Sequence, residues 1–250
     1  MMELLPPQLS LAAAAGLVLL SFFTSALTSV ASVGGGIALI SVMASFLPPL
    51  IVLPVHGVVQ LGSNAGRTWL MRRHIDKQIV CRFAIGAVVG VVVATQLFIA
   101  LSTKTLQLLL GLFILFSIWT PKLKPSSVPQ SGYVAVGLVA TFCSMFVGAV
   151  GPFVASFLPA DRLQRHGLVA TSAACLSTQH TLKICAFGFL GFTFLPWMPV
   201  MAAMVMSGFL GTWVGGKLLN RIPERAFRVL FKTVITLLAI RLLYAAIIAP

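Results

Sequence analysis

Long runs without charge decide what this chain can fold into. Phe83–Leu101 holds no charged residue, and most apolar runs between charges approach the roughly 20 residues needed to cross a hydrocarbon core. Charged residues make up 8% of the chain and apolar residues 59%, whereas a soluble domain carries roughly 25% charged residues. A water-facing surface cannot be built from that remainder, so the expected solvent is a bilayer. Within lipid the backbone must satisfy its own polar groups, which leaves helices or closed barrels. Barrel strands alternate in hydrophobicity over short segments; these runs do not alternate. The expected fold class is therefore an all-α integral membrane protein.

The net charge is +13, from 17 Lys and Arg against 4 Asp and Glu. In a soluble protein that excess would suggest nucleic acid, but there is no soluble module to bind it. The basic residues read instead as topology signals at helix ends. Cys81, Cys143, Cys175 and Cys185 form neither a CxxC nor a zinc spacing. Glu3 precedes the first apolar run with no Lys or Arg before it. That run lacks the basic region of a cleaved signal and is expected to be the first helix of the mature protein.

Self-similarity appears at about half the chain length. Val33-Gly34-Gly35-Gly36-Ile37-Ala38 follows a long apolar helix, and Val150-Gly151-Pro152-Phe153-Val154-Ala155 does the same 117 positions later. Asn64 and Arg67 align with His180 and Lys183 at a spacing of 116, and Gly90 aligns with Gly211 at 121. Each half is expected to hold a broken helix pair, 11–32 with 35–53 and 132–149 with 152–159. A helix of mixed polarity follows, 55–72 and 166–190, and then two apolar helices, 83–101 with 105–120 and 197–219 with 228–248. Residues 1–124 form the first repeat, 125–131 the connector and 132–250 the second repeat. The Pro- and Ser-rich stretch Pro121–Pro129 marks the loop between them.

Basic residues gather on the cytoplasmic side of membrane proteins. With the Arg67–Arg82 cluster placed inside, Lys122, Lys124, Arg162, Arg165, Arg221, Arg225 and Arg228 also fall inside, twelve basic residues in all, and only Lys104 falls outside. The two halves then begin on opposite sides. They are expected to be inverted-topology repeats, each a broken or re-entrant helix pair plus three spanning helices, an architecture common among secondary transporters.

The glycine run Gly34-Gly35-Gly36 permits a helix break, since Gly destabilises a helix by roughly 1 kcal/mol relative to Ala. A helix restarting at Ile37 would present free amides and the positive end of its dipole. Gly151, Pro152 and Phe153 would do the same in the second half, because Pro suits a first helical turn. Two such helix starts meeting near the midplane would bind an anion; close packing through small residues is the competing account. Asn64, Arg67, Gln179, His180 and Lys183 add polar and cationic groups from the mixed helices. Lys183 could instead snorkel to an interface, Arg67 could only mark topology, and His56, near an expected helix start, reads as interfacial.

All four acidic residues, Glu3, Asp76, Asp161 and Glu224, fall at ends or in loops. Cation transporters and carboxylate proton relays need an acid within a span. GxxxxGK[ST], HExxH and GxSxG are all lacking. The expected function is therefore carriage of a small anion rather than an enzymatic reaction, with no cofactor. The partners are the anion and the lipid bilayer, and a homodimer is compatible with the sequence. Two rival readings are a membrane-embedded hydrolase built on Ser and His, and an accessory subunit without a substrate path.

Ser32-Val33-Gly34-Gly35-Gly36, Gly148-Ala149-Val150-Gly151-Pro152 and Gln179-His180-Thr181-Leu182-Lys183, in this order and duplication, resemble the TauE/SafE family of sulfite exporters. The chain departs from the commoner family pattern at Val33 and at Pro48-Pro49. The resemblance implies a multi-pass permease of the bacterial inner membrane for sulfite, organosulfonates or related sulfur-containing anions.

Overall fold

A computed structural model describes residues 5–6, 9–31, 34–119, 128–218 and 224–248. Ser32, Val33, Lys122, Lys124, Arg221 and residues 125–127 of the expected connector lie outside the described residues. Among the described residues there are ten α-helices and no strand. They are α1 (Leu11–Ala31), α2 (Gly35–Ala44), α3 (Pro49–Leu70), α4 (Lys77–Ala100), α5 (Thr103–Trp119), α6 (Gly132–Val147), α7 (Gly151–Ser156), α8 (Ala160–Phe189), α9 (Met198–Leu218) and α10 (Glu224–Ile248). Among the described residues, two stretches, Lys77–Ala100 and Leu195–Val214, are by themselves long and apolar enough to cross a membrane.

Both expected breaks occur, and each turns on a glycine. Gly34 has φ 110 and Gly148 has φ 80, a region open to glycine but strained for residues with a β-carbon. The second helix of the first pair ends sooner than the sequence suggested, at Ala44 rather than near residue 53. Pro48 disfavours helical backbone in the residue before it, and Pro49 starts a new helix in the first turn that proline tolerates. Residues 49–53 thus belong to α3. In α8, Gln164 at φ 53 interrupts the helix, two residues before the start expected at 166.

The chain forms two compact units, and both draw on both sequence halves. The first comprises Met1–His56, Leu101–Thr120 and Thr193–Pro250; the second comprises Gly57–Ala100 and Pro121–Phe192. In the first unit α1 packs along α9, α2 folds back on α1, and α5 packs on α10. Ser21 Oγ donates to the Met204 carbonyl at 2.7 Å and Ser207 Oγ to the Val18 carbonyl at 2.7 Å. A β-carbon at Gly211 would lie 2.1 Å from the Phe22 carbonyl oxygen, so this helix pair is in backbone contact.

In the second unit α4 packs along α6, and α8 lies against α4. Three glycines set the α4–α6 distance. A β-carbon at Gly86 would lie 1.8 Å from the Val134 carbonyl oxygen, at Gly90 2.3 Å from that of Leu138, and at Gly137 2.0 Å from that of Phe83. These positions correspond to the α1–α9 contacts, with α1 and α6 offset by 116 residues and α4 and α9 by 121. Gly90–Leu138 matches Gly211–Phe22, Gly86–Val134 matches Ser207–Val18, and Gly137–Phe83 matches Ser21–Met204. Where one unit brings bare glycine against a carbonyl, the other twice inserts a serine that donates to it.

At its charged end, the second unit caps α4 with Asp76, whose Oδ1 accepts the Ile79 amide at 3.1 Å. The Asp76 amide donates to Thr171 Oγ1 at 3.0 Å, and its carboxylate also pairs with Arg162.

Candidate functional site

In the first unit, the break at Gly34 lets α2 run back along α1. Gly35 is required there, because a β-carbon would meet Thr28 Oγ1 at 1.9 Å and the Thr24 carbonyl at 2.1 Å. The first bond within α2 runs from the Ala38 amide to the Gly34 carbonyl at 2.9 Å. The amides of Gly35, Gly36 and Ile37 precede it and have no acceptor within the helix. The Ile37 side chain is buried in the core. The Gly36 carbonyl pairs with His56 Nε2 at 3.0 Å. His56 is fully buried, not interfacial, since α3 begins seven residues before it rather than at its side. This histidine holds the break and was not among the expected site residues.

The other eight expected residues lie in the second unit. On α3, Asn64 is buried, its Nδ2 donating to the Gln60 carbonyl at 2.8 Å. Arg67 turns back along its own helix, with Nη2 3.2 Å from Ser63 Oγ and 3.3 Å from Asn64 Oδ1. On α8, Lys183 is completely buried, so it does not snorkel. Its Nζ donates to the Ser144 carbonyl at 2.7 Å, an oxygen that also accepts the Gly148 amide at 3.0 Å. The cation thus sits at the carboxyl end of α6, where the helix dipole favours it. Phe187 lies beneath it, 5.7 Å from Nζ to the ring centroid. Gly57 of α3 makes room for the lysine stem, with a β-carbon there lying 3.7 Å from Cδ and Cε.

Gly151 begins α7, followed by the exposed Pro152 and the half-buried Phe153. A β-carbon at Gly151 would lie 3.5 Å from Leu176 Cδ1 of α8. Leu176 and Lys183 therefore mark the two sides of the α6–α7 break on one face of α8. Gln179, three residues after Leu176 and four before Lys183, shares that face. It is fully buried, and neither its amide nitrogen nor its carbonyl oxygen has a hydrogen-bond partner among the described residues. His180 is also buried. The Ser144 carbonyl and Gly57 were not anticipated. Only the alignment of Ser144 with Thr28, at the spacing of 116, places it at the corresponding point of the first break.

A lysine and an amide kept inside an apolar helical assembly are costly unless they face a partner or a path, which suits a membrane transporter, the class that the family match gives. Its family is a definite one. Residues 17–242 match the family described as "Sulfite exporter TauE/SafE", and the protein belongs to that family. No curated protein and no solved structure matches the chain.

Proposed function

We propose that the protein is a multi-pass secondary transporter of the bacterial inner membrane that carries sulfite or a related sulfur-containing anion. Membership of the sulfite exporter family across residues 17–242 carries this reading. The two repeats are residues 1–124 and 132–250, inserted with opposite topology around the connector 125–131. The paired contacts at spacings of 116 and 121 support the duplication, and the twelve-to-one distribution of basic residues supports the inversion.

Each unit by itself offers groups suited to an anion. In the first they are the leading amides of α2, at Gly35, Gly36 and Ile37 after the turn at Gly34. In the second they are Gln179, His180 and Lys183 beside Gly151, Pro152 and Phe153, with Asn64 and Arg67 on α3. Lys183 has three ammonium protons, of which the Ser144 carbonyl takes one, so it retains donors for a ligand.

Flux of labelled sulfite through the purified full-length protein in proteoliposomes tests the function. Saturable flux is expected, and its absence with monodisperse, correctly inserted protein refutes the reading. Topology is tested by single-cysteine labelling in intact cells. Residues near Arg73 and Lys122 should share one side and Lys104 the other.

A further inference from the structure

We infer that the α6–α7 break selects the singly protonated form of its oxyanion, with Gln179 as the residue that reads the O–H group. The inference rests on the transporter reading above and concerns which ionic form of the substrate the second unit accepts.

The argument is one of matching donors and acceptors. A glutamine amide offers two N–H donors and one carbonyl acceptor. In Gln179 both ends are buried and both lack a partner among the described residues. Native interiors rarely leave such a group unmet. The residue faces the segment between Ser144 and Gly151, flanked on α8 by Leu176 against Gly151 and by Lys183 against the Ser144 carbonyl. A buried hydroxyl that also lacks a partner among the described residues, Thr141 Oγ1, lies on α6 one turn before Ser144.

A fully deprotonated oxyanion, or a sulfonate, presents only acceptor oxygens. It can satisfy the Gln179 N–H groups but leaves the Gln179 carbonyl unmet. Hydrogensulfite presents both, its O–H to the Gln179 carbonyl oxygen and its anionic oxygens to the Gln179 and Lys183 N–H groups. Sites built to hydrogen-bond a hydroxyl discriminate strongly against analogues that lack it.

Other titratable groups lie on α8 and on the helices packed against it. Lys183, His180 and Cys175 are on α8, Cys143 is on α6, Arg67 is on α3, and Lys77, Cys81 and Arg82 begin α4. The experiment must separate their titration from that of the substrate. Labelled sulfite and labelled methanesulfonate are therefore compared in the same proteoliposomes across a pH series spanning neutrality, where sulfite exchanges its second proton. Methanesulfonate keeps one charge and no O–H throughout, so its flux reports the protein's own titration. The ratio of sulfite to methanesulfonate flux is expected to fall with rising pH in step with the singly protonated fraction. A ratio that is flat, or that rises with the dianion, overturns the inference while leaving sulfite transport intact. No sulfite flux at any pH overturns the transporter reading itself.

Gln179→Met supplies the second arm, with thermal unfolding and gel filtration to verify folding. It is expected to lower sulfite flux by about tenfold or more and abolish the pH trend in the ratio. Retention of that trend in the folded variant also overturns the assignment.

Discussion

Replacing Gly86 by alanine tests the backbone contact that organises the second unit. The added β-carbon would sit 1.8 Å from the Val134 carbonyl oxygen, whereas real β-carbons essentially never approach a heavy atom within 3.0 Å. The obstacle is backbone rather than a side chain that could rotate away, so α4 and α6 must separate by more than 1 Å. Neighbouring contacts at Gly90 and Gly137 would open with it and lose their close-range attraction. Overpacking a tight interface costs roughly 1–3 kcal/mol, and the rigid obstacle places Gly86→Ala near 3 kcal/mol. The corresponding Ser207→Ala in the first unit removes only a hydroxyl that donates to Val18, worth about 0.6 kcal/mol in a membrane protein. Gly66→Ala is the control, because nothing lies within 4 Å of a β-carbon there; better helix propensity makes it neutral or stabilising by up to about 1 kcal/mol. Equilibrium unfolding in mixed detergent micelles would rank the three. If Gly86→Ala were no more damaging than Ser207→Ala, the close approach of α4 and α6, and the matching of the two interfaces, would be refuted.

Gly57→Ala should be tolerated, since its β-carbon meets the Lys183 stem at ordinary contact distance. Gly57→Ile should instead push Lys183 away from the Ser144 carbonyl, and transport assays should show a loss of at least about fivefold. Gly34→Ala forces a β-carbon into backbone at φ 110; an unfolding free energy lower by roughly 1–2 kcal/mol is expected, with sulfite flux reduced. Asp76→Asn should change stability by less than about 1 kcal/mol, because the Arg162 pair is half exposed and an asparagine still caps α4. Asp76→Ala loses the cap too, and should cost about 1 kcal/mol more in the same unfolding measurement.

The helices and their breaks were readable because each has a local cause. Uncharged runs of spanning length dictate helix in lipid, and glycine at residues 34–36 permits the first turn; the second, expected at Gly151-Pro152, turns three residues earlier at Gly148. The limit of α2 was less readable, because Pro48-Pro49 stands inside an apolar run and can be read either as a kink or as a stop. That ambiguity also misplaced His56. Its polarity suggested an interface only while a helix was assumed to begin beside it, and with α3 starting at Pro49 it falls inside the protein.

The surroundings of Lys183 were harder still. Its partner is a main-chain carbonyl, and every residue has one, so no side-chain pattern could announce Ser144. Periodicity alone places Gln179 on the same face as Lys183, but its lack of a partner is a property of the packed neighbours. The pairing of α1 with α9 and of α4 with α6 was likewise hidden. Spacings of 116 and 121 align equivalent residues but do not say which helices touch.

That pairing bears on how the chain is made. An α4 with its glycine face at Gly86 and Gly90 emerges from the ribosome well before α6, and α1 waits longer still for α9. On the multi-pass reading proposed above, these helices wait in the bilayer with their most closely fitting surfaces against lipid tails, α4 until about midway through synthesis and α1 until α9 follows much later. A polypeptide stopped at the Pro- and Ser-rich connector would hold neither finished unit, while two fragments severed there and produced together could assemble both.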